Sequence, residues 1–152
     1  MSGGPARDGL ARLLARGLAR HFAQRGLSVI PELALPNGRR ADLVALSNRG
    51  TIHIVEIKSS VEDFRTDTKW REYLPYCEHF YFATHPDVPL AIFPEEAGLI
   101  LADGFGAEIL REAPPLPLAA ATRKALTIQL ARVASARLSS LLDPEGRYPD
   151  MM

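Results

Sequence analysis

The sequence predicts a mixed α/β domain, with a sheet flanked by helices. Apolar residues recur at helical spacing near both ends of the chain. Between them, short β-branched segments are separated by tight-turn signals, and a helical stretch precedes a further buried strand. The predicted order is helix, three strands, helix, strand, C-terminal hairpin and helix. A chain of 152 residues is long enough for one domain with a sizeable core.

The first helix is indicated by apolar residues at helical spacing, and Gly26 fits its end. These apolar residues are Leu10, Leu13, Leu14, Leu18 and Phe22. Arg12, Arg16 and Arg20 recur every four residues, so they form a stripe beside the apolar face. That stripe is either a solvated helix surface or a set of phosphate contacts.

Three strand segments follow at residues 27–35, 40–46 and 51–58. The first two are joined through Asn37-Gly38, which is the strongest short hairpin signal. The second and third are joined by a tight turn over residues 48–50 and must therefore be antiparallel.

The second helix is predicted from Ser59, which forms a capping-box pattern with Glu62. The helix is expected to run, with or without a break, to Leu74, where Pro75 ends it. Residues 78–84 then form a strand that can pair in parallel after this helical crossover. A hairpin over 98–102 and 107–111 and a helix over 119–142 follow. We expect one domain over residues 1–143 and a flexible tail over 144–152.

The charge distribution is more informative than the net charge, which is zero. Residues 1–40 contain seven arginines and two acidic residues, a net charge of +5, which hints at a polyanionic partner. No apolar run approaches a membrane span, and no apolar signal core opens the chain, so we expect a cytoplasmic protein with no membrane partner. Cys77 is the single cysteine, which excludes an internal disulfide and favours a buried structural thiol.

The second and third strands carry the candidate site. Glu56 and Lys58 are two residues apart, so their side chains share one face of the sheet. A three-residue turn over 48–50 sets Leu46 opposite Ile52, which places Asp42 opposite Glu56. Two opposed carboxylates repel each other, and a divalent cation such as Mg²⁺ can compensate for this. The alternative is an ordinary half-exposed strand face on which Lys58 pairs with Glu56.

This arrangement resembles the PD-(D/E)XK nuclease superfamily, which has a restriction-endonuclease-like αβββαβ core. Asp42 and the sequence Glu56-Ile57-Lys58 match its motif in type, order and strand placement, although Ala41 replaces the usual proline. The resemblance implies catalytic roles for Asp42, Glu56 and Lys58. It also implies that Asp42, Glu56 and the Ile57 carbonyl hold Mg²⁺ or Mn²⁺, while Lys58 orients or activates the attacking water.

The same resemblance indicates residues that contact DNA. Family members carry a polar residue and a tyrosine four apart after the motif lysine, and Lys69 and Tyr73 fill these positions. Arg39 and Arg40 are further candidates for phosphate contacts. If the resemblance is set aside, the aromatic residues of the second predicted helix are expected to pack on the sheet. Asp67 is then expected to pair with Arg71 on the same helix.

A further acid in the first helix or strand is common in the superfamily, and Asp8 and Glu32 are the candidates here. If Asn37-Gly38 is a two-residue turn, Leu33 opposes Asp42 and Glu32 faces away from the site. A bulge would reverse this, because a slip of one residue moves every side chain to the other face. Glu32 is therefore either a third ligand or an edge acid.

The chain also contains Asp63-Phe64, Asp67, Lys69-Trp70, Tyr73-Leu74 and the run FYFAT at residues 80–84. Through these residues, the stretch 40–84 more narrowly resembles the MmcB-like family of DNA repair nucleases. The resemblance implies metal-dependent DNA phosphodiester hydrolysis in bacterial DNA damage repair, with DNA, other repair proteins and a second copy of the chain as partners. The alternative is a catalytically inactive DNA-binding or scaffold protein on the same fold. A third interpretation is a protein-interaction domain that docks through residues 114–117 and the last helix.

Overall fold

The computed structural model describes residues 5–149, and side chains from residue 9 onward. Its helices are α1 (Pro5–Gln24), α2 (Val61–Thr66) and α3 (Ala120–Leu142), with 3₁₀ helices at Trp70–Tyr76 and Leu90–Ile92. Its strands are β1 (Ser28–Ala34), β2 (Arg40–Leu46), β3 (Ile52–Ile57), β4 (His79–Thr84), β5 (Gly98–Ala102) and β6 (Ala107–Arg111). The Asp8 side chain and residues 150–152 lie outside this description. The expected flexibility of the tail over residues 144–152 stays a prediction. Within this tail, the Tyr148 hydroxyl donates a hydrogen bond to Asp143 Oδ2.

The strands described here form one six-stranded sheet in chain order, from β1 to β6. Pairing is antiparallel from β1 to β3, parallel from β3 to β5, and antiparallel between β5 and β6. The predicted mixed α/β fold is therefore confirmed, as is the parallel pairing of the strand after the crossover. The C-terminal hairpin joins the same sheet and leaves its tip beside the ends of β3 and β4.

The sheet has a hydrophobic core on each face. Alternation along β3 sends Val55 and Ile57 to one core and Ile54 to the other. The α1 face buries Leu14, Leu18 and Phe22 with Leu43, Tyr81 and Ile100. The opposite face buries Trp70, Tyr73, Phe80 and Phe82 with Leu126, Leu130 and Val133 of α3. Each such side chain contributes about 2 kcal/mol to stability, so packing holds both long helices in place.

The β1–β2 turn differs from the prediction by one residue. The Leu35 amide donates to the Arg39 carbonyl at 2.7 Å, which encloses a three-residue loop, and Gly38 takes the left-handed conformation. Leu33 therefore pairs with Ala41, and the predicted pairing of Leu33 with Asp42 is wrong.

The β2–β3 turn follows the prediction. Ser47 donates to the Thr51 carbonyl at 3.0 Å, Gly50 is left-handed, and Leu46 pairs with Ile52. The register on which the candidate site depends is thereby confirmed.

The segment after β3 is shorter and more broken than predicted. Ser60, and not Ser59, caps α2 by accepting from the Asp63 amide. The helix ends at Thr66, and Pro75 lies inside the following 3₁₀ helix instead of stopping it. Because helical spacing is lost after Thr66, the predicted pair of Asp67 with Arg71 does not form.

Cys77 is fully buried, as predicted for a structural thiol, and burial raises its pKa to about 12. Across residues 5–149, no helix combines the length and apolar character that a membrane span requires.

Candidate active site

The candidate site lies where the β2–β3 ladder ends. The last ladder pair is Leu43 with Val55, and the same register sets Asp42 opposite Glu56. Beyond this pair, hydrogen bonds from backbone amides to side-chain carboxylates connect the two strands. Asp42 Oδ2 accepts the Ile57 amide at 2.8 Å, and Glu56 Oε1 accepts the Asp42 amide at 3.0 Å. The predicted juxtaposition of the two acids is confirmed, and each acid also satisfies a backbone donor on the neighbouring strand.

Simultaneous ionisation of the Asp42 and Glu56 carboxylates is unfavourable. Glu56 is 4% exposed. Burial and the neighbouring Asp42 charge raise the pKa of Glu56 well above its ordinary value. Burial also raises the pKa of Asp42, against the opposing effects of the Ile57 amide and Lys58. Such a pair favours an added proton or cation between the two side chains.

Lys58 does not pair with Glu56, as one alternative predicted, but with Asp67. Its Nζ lies 2.9 Å from Asp67 Oδ2, and the Lys58 side chain is 8% exposed. Burial alone would lower the pKa of Lys58, but the hydrogen bond and charge of Asp67 outweigh burial and raise it. Asp67 Oδ1 also accepts the Lys69 amide at 3.0 Å, which fixes the carboxylate. Lys58 is thus held as a buried ammonium.

Two adjoining clefts open onto these residues. The first cleft, of about 530 Å³, is lined by Arg12, Glu32, Asp42 and Ile57, among others. The second cleft, of about 400 Å³, is lined by Arg39, Lys69 and Tyr73, among others. Both are also lined by Glu56, Lys58 and Asp63. Glu56, Lys58 and Asp63 therefore form the shared floor of one groove, and Asp42 lies in its first cleft.

Glu32 lies at the rim of the first cleft. The corrected register brings it level with Asp42, but its side chain is 68% exposed, and Oε1 lies 3.9 Å from Arg40 Nη1. Glu32 has a φ of 51°, which is strained for a residue with a side chain. Arg137 of α3 donates to the carbonyls of both Pro31 and Glu32 and holds this backbone in place. Its role as a third ligand stays a prediction.

The structure separates the predicted DNA contacts into accessible and engaged groups. Lys69 is exposed at the second cleft, and Arg40 is exposed beside Glu32. Arg39 Nε lies 3.3 Å from Glu72 Oε1 at the edge of the second cleft. Tyr73 is buried in the core, as expected for an aromatic packing on the sheet, and its hydroxyl donates to the Arg40 carbonyl at 3.0 Å.

The acidic pair fits Mg²⁺ by the chemistry of its donors. Two carboxylates meet at the floor of an open cleft, and Mg²⁺ is commonly held by one or two carboxylates while it keeps several waters. The position between the Asp42 and Glu56 carboxylates, which favours an added proton, can hold a cation instead. Among residues 5–149 no group of three or more histidine, cysteine, aspartate or glutamate side chains is placed to hold a metal, so the fit rests on this pair.

Sequence reasoning missed Asp67 and Arg137. The sequence pattern places Asp67 on a helix that in fact ends before it, and Arg137 is 105 residues from the carbonyl of Glu32 that it contacts. The spacing of the arginines places Arg12 in a stripe on the first helix but does not indicate its position at the first cleft.

Comparison with known proteins identifies the family. The family model described as DNA repair protein MmcB-like matches residues 6–145. The fold is similar to the solved structure titled SPO1766 protein of unknown function from Silicibacter pomeroyi, with a TM-score of 0.88 and 39% sequence identity over 97% of each chain. Among curated proteins, none matches the sequence. The chain belongs to the MmcB-like family of DNA repair proteins.

Proposed function

We propose that this protein is a metal-dependent nuclease that hydrolyses DNA phosphodiester bonds in bacterial DNA damage repair, on a core of the PD-(D/E)XK type. Membership of a DNA repair family supports the DNA substrate. The hydrolytic part rests on one observation: Asp42 and Glu56 meet beside the Lys58 ammonium on the floor of an open groove.

In this proposal Asp42 and Glu56 hold Mg²⁺ or Mn²⁺, together with the Ile57 carbonyl. When bound, the ion polarises a phosphoryl oxygen and favours attack by water. Lys58 stays charged beside Asp67, so it orients the water or stabilises developing negative charge and does not remove a proton. Its buried position concentrates that charge at the floor of the groove, where the scissile phosphate would lie.

The remaining cations would position the DNA backbone. Arg12 lines the first cleft and Lys69 the second, so a strand crossing the acids would pass a cation on either side. Arg39 and Arg40 lie nearby at the edges. Binding through such contacts weakens steeply as salt rises. Other repair proteins are further proposed partners, and an enzyme that cuts both strands is expected to act as a homodimer.

The test is cleavage of single-stranded, duplex, nicked and flapped DNA with Mg²⁺ or Mn²⁺. We expect Asp42→Ala and Lys58→Ala each to reduce cleavage by at least about 100-fold, because each removes a group that acts on the developing charge. Asp87→Ala is the matched control, since the Asp87 side chain is 94% exposed and outside both clefts. Circular dichroism checks that each variant is folded. Equal activity in the four proteins would sink the proposal.

A catalytically inactive DNA-binding or scaffold protein is the second candidate. Within the described part of the chain, no third acid or histidine completes a metal-binding group around Asp42 and Glu56, which favours this candidate. It predicts DNA binding that survives Asp42→Ala and no cleavage with either metal. The same set of variants therefore separates the two candidates.

A further inference from the structure

The turn between β5 and β6 lies at the same edge of the sheet as the acidic pair. Strands β3, β4 and β5 are parallel, so Ile57, Thr84 and Ala102 end at one edge. Neighbouring strands are about 4.8 Å apart, which places the end of β5 about 10 Å to the side of the end of β3. The turn after Ala102 therefore lies at the same end of the sheet as the groove, two strands away from β3.

This turn is held rigidly against α1. Asp103 Oδ1 accepts the amides of Phe105 and Gly106 at 2.7 and 2.9 Å. Arg16 Nε donates to the Gly104 carbonyl at 2.8 Å. The helix approaches so closely at Gly17 that a β-carbon there would overlap the carbonyl oxygens of Asp103 and Gly106. The tip is thus a fixed platform.

Phe105 projects from this platform into solvent. Its side chain is 76% exposed, with the Arg16 guanidinium 5.8 Å from the ring centroid. One helical turn before Arg16, Arg12 lines the first cleft. Arg12, Arg16 and Phe105 therefore follow one another along the surface, with increasing distance from the acidic pair.

We propose that Phe105, supported by Arg16, stacks on an unpaired DNA base of a strand that enters the first cleft past Arg12. Aromatic rings bind unpaired bases through stacking, while neighbouring cations follow the phosphates. The ring faces bases and the arginines match phosphate charge, a combination that suits nucleic acid better than an apolar protein partner. The inference rests on the proposed function for DNA as the ligand, and it is independent of cleavage.

An unpaired base is favoured over a duplex because a duplex hides its base faces. Glu56 and Lys58 are also nearly buried at the floor of the groove, where a single strand reaches more readily than a paired one. Entry of the ring into a duplex would instead require unstacking of base pairs.

The test is fluorescence anisotropy with labelled DNA in Ca²⁺, which allows binding without depending on turnover. Three ligands of equal length are compared: a single strand, its duplex, and a single strand with an abasic tract. We expect Phe105→Ala to weaken binding of the normal single strand about tenfold and to leave the abasic strand and the duplex within about twofold. Phe105→Trp should restore binding, because indole also stacks.

Leu110→Ala is the matched control, since Leu110 is a half-exposed apolar residue of the same hairpin, 40% exposed. The inference is overturned if Phe105→Ala behaves like this control on all ligands. It is also overturned if binding to the abasic strand falls equally, or if the duplex is affected most. If the wild type cleaves DNA and the Phe105→Ala variant binds DNA as tightly as the wild type, only this inference is refuted. Phe105-dependent binding without cleavage refutes only the nuclease proposal.

Discussion

The two ends of β3 bury titratable groups in opposite ways. Near its carboxyl end, Glu56 accepts a backbone amide and lies beside Asp42, with the charged Lys58–Asp67 pair next to it. Toward its amino end, His53 faces the other core and stacks on His79, with ring centroids 4.9 Å apart. Within residues 9–149, His53 Nδ1 is buried without a hydrogen-bond partner.

The difference shows which buried group belongs to a site. Burial, followed by the charge of His79, lowers the pKa of His53 to about 4, so the ring is neutral and packs as an aromatic side chain. At the acid end a charged lysine and two carboxylates are retained under burial, an arrangement that packing alone does not require.

The largest expected effect is at Glu56. Glu56→Gln keeps the acceptor for the Asp42 amide but removes a buried negative charge, so we expect cleavage to fall about 1,000-fold. Without metal the variant should be more stable, with a melting temperature about 3 °C higher, because the repulsion with Asp42 is gone. The raised pKa of Glu56 means that the wild type loses stability as pH rises through that pKa, so the difference should grow with pH.

Cleavage assays and thermal unfolding in EDTA at pH 6 and pH 8 measure both effects. A variant that melts below the wild type in EDTA would show that the acidic pair stabilises the fold on its own. That result would remove the contrast between the two ends of β3.

The next effect concerns Asp67. Asp67→Asn keeps the acceptor for the Lys69 amide but removes the charge that holds Lys58. We expect kcat to fall about 10- to 100-fold with little change in KM, because Lys58 acts on the reacting groups and not on binding. Asp67→Glu should recover part of the loss.

Arg71→Gln is the control for Asp67, since it breaks the exposed ion pair with Glu96. Exposed pairs contribute little, so cleavage should change less than about twofold. An unchanged kcat in Asp67→Asn would mean that Lys58 needs no partner to act.

The smallest effect is at the histidine end. Because the folded pKa of His53 lies below its ordinary 6.5, the unfolded chain binds more protons between these values. Stability from this group is complete above pH 6.5 and is lost as pH falls toward 4. After allowance for partial exposure, we expect His53 to lower the free energy of unfolding by about 2 kcal/mol between pH 7 and pH 4.5.

His53→Phe keeps a stacking ring and should flatten this part of the pH dependence in urea unfolding, with cleavage unchanged. An identical pH profile in the variant and the wild type would show that His53 binds its proton equally well in the folded and unfolded states.

Turn chemistry explains how far the sequence could predict the site. Gly50 signals a left-handed turn end, and counting through it placed Asp42 opposite Glu56 correctly. The same counting through Asn37-Gly38 failed by one residue, because the loop closes between Leu35 and Arg39. Hydrophobic alternation does not distinguish a two-residue loop from a three-residue loop. With the wrong loop length, the Glu32 side chain is predicted to face away from the cleft.

Contacts made across breaks and long separations were not predictable. Asp67 reaches Lys58 because α2 stops at Thr66, whereas the sequence pattern favours a longer helix. The contact of Arg137 with the Glu32 carbonyl has no local signal, since a regular helix face can present an arginine to solvent or to a neighbour. Such contacts depend on the assembled fold and not on periodicity.

The Arg137 contact has a consequence for the order in which the protein is made. The strained Pro31–Glu32 segment at the rim of the first cleft is held by a side chain close to the end of the last helix. A ribosome completes the acids, the lysine and Asp67 about half a chain before it adds Arg137. A nascent chain therefore carries every residue of the groove floor while its rim is still unsupported, and the groove acquires its final shape only near the end of synthesis.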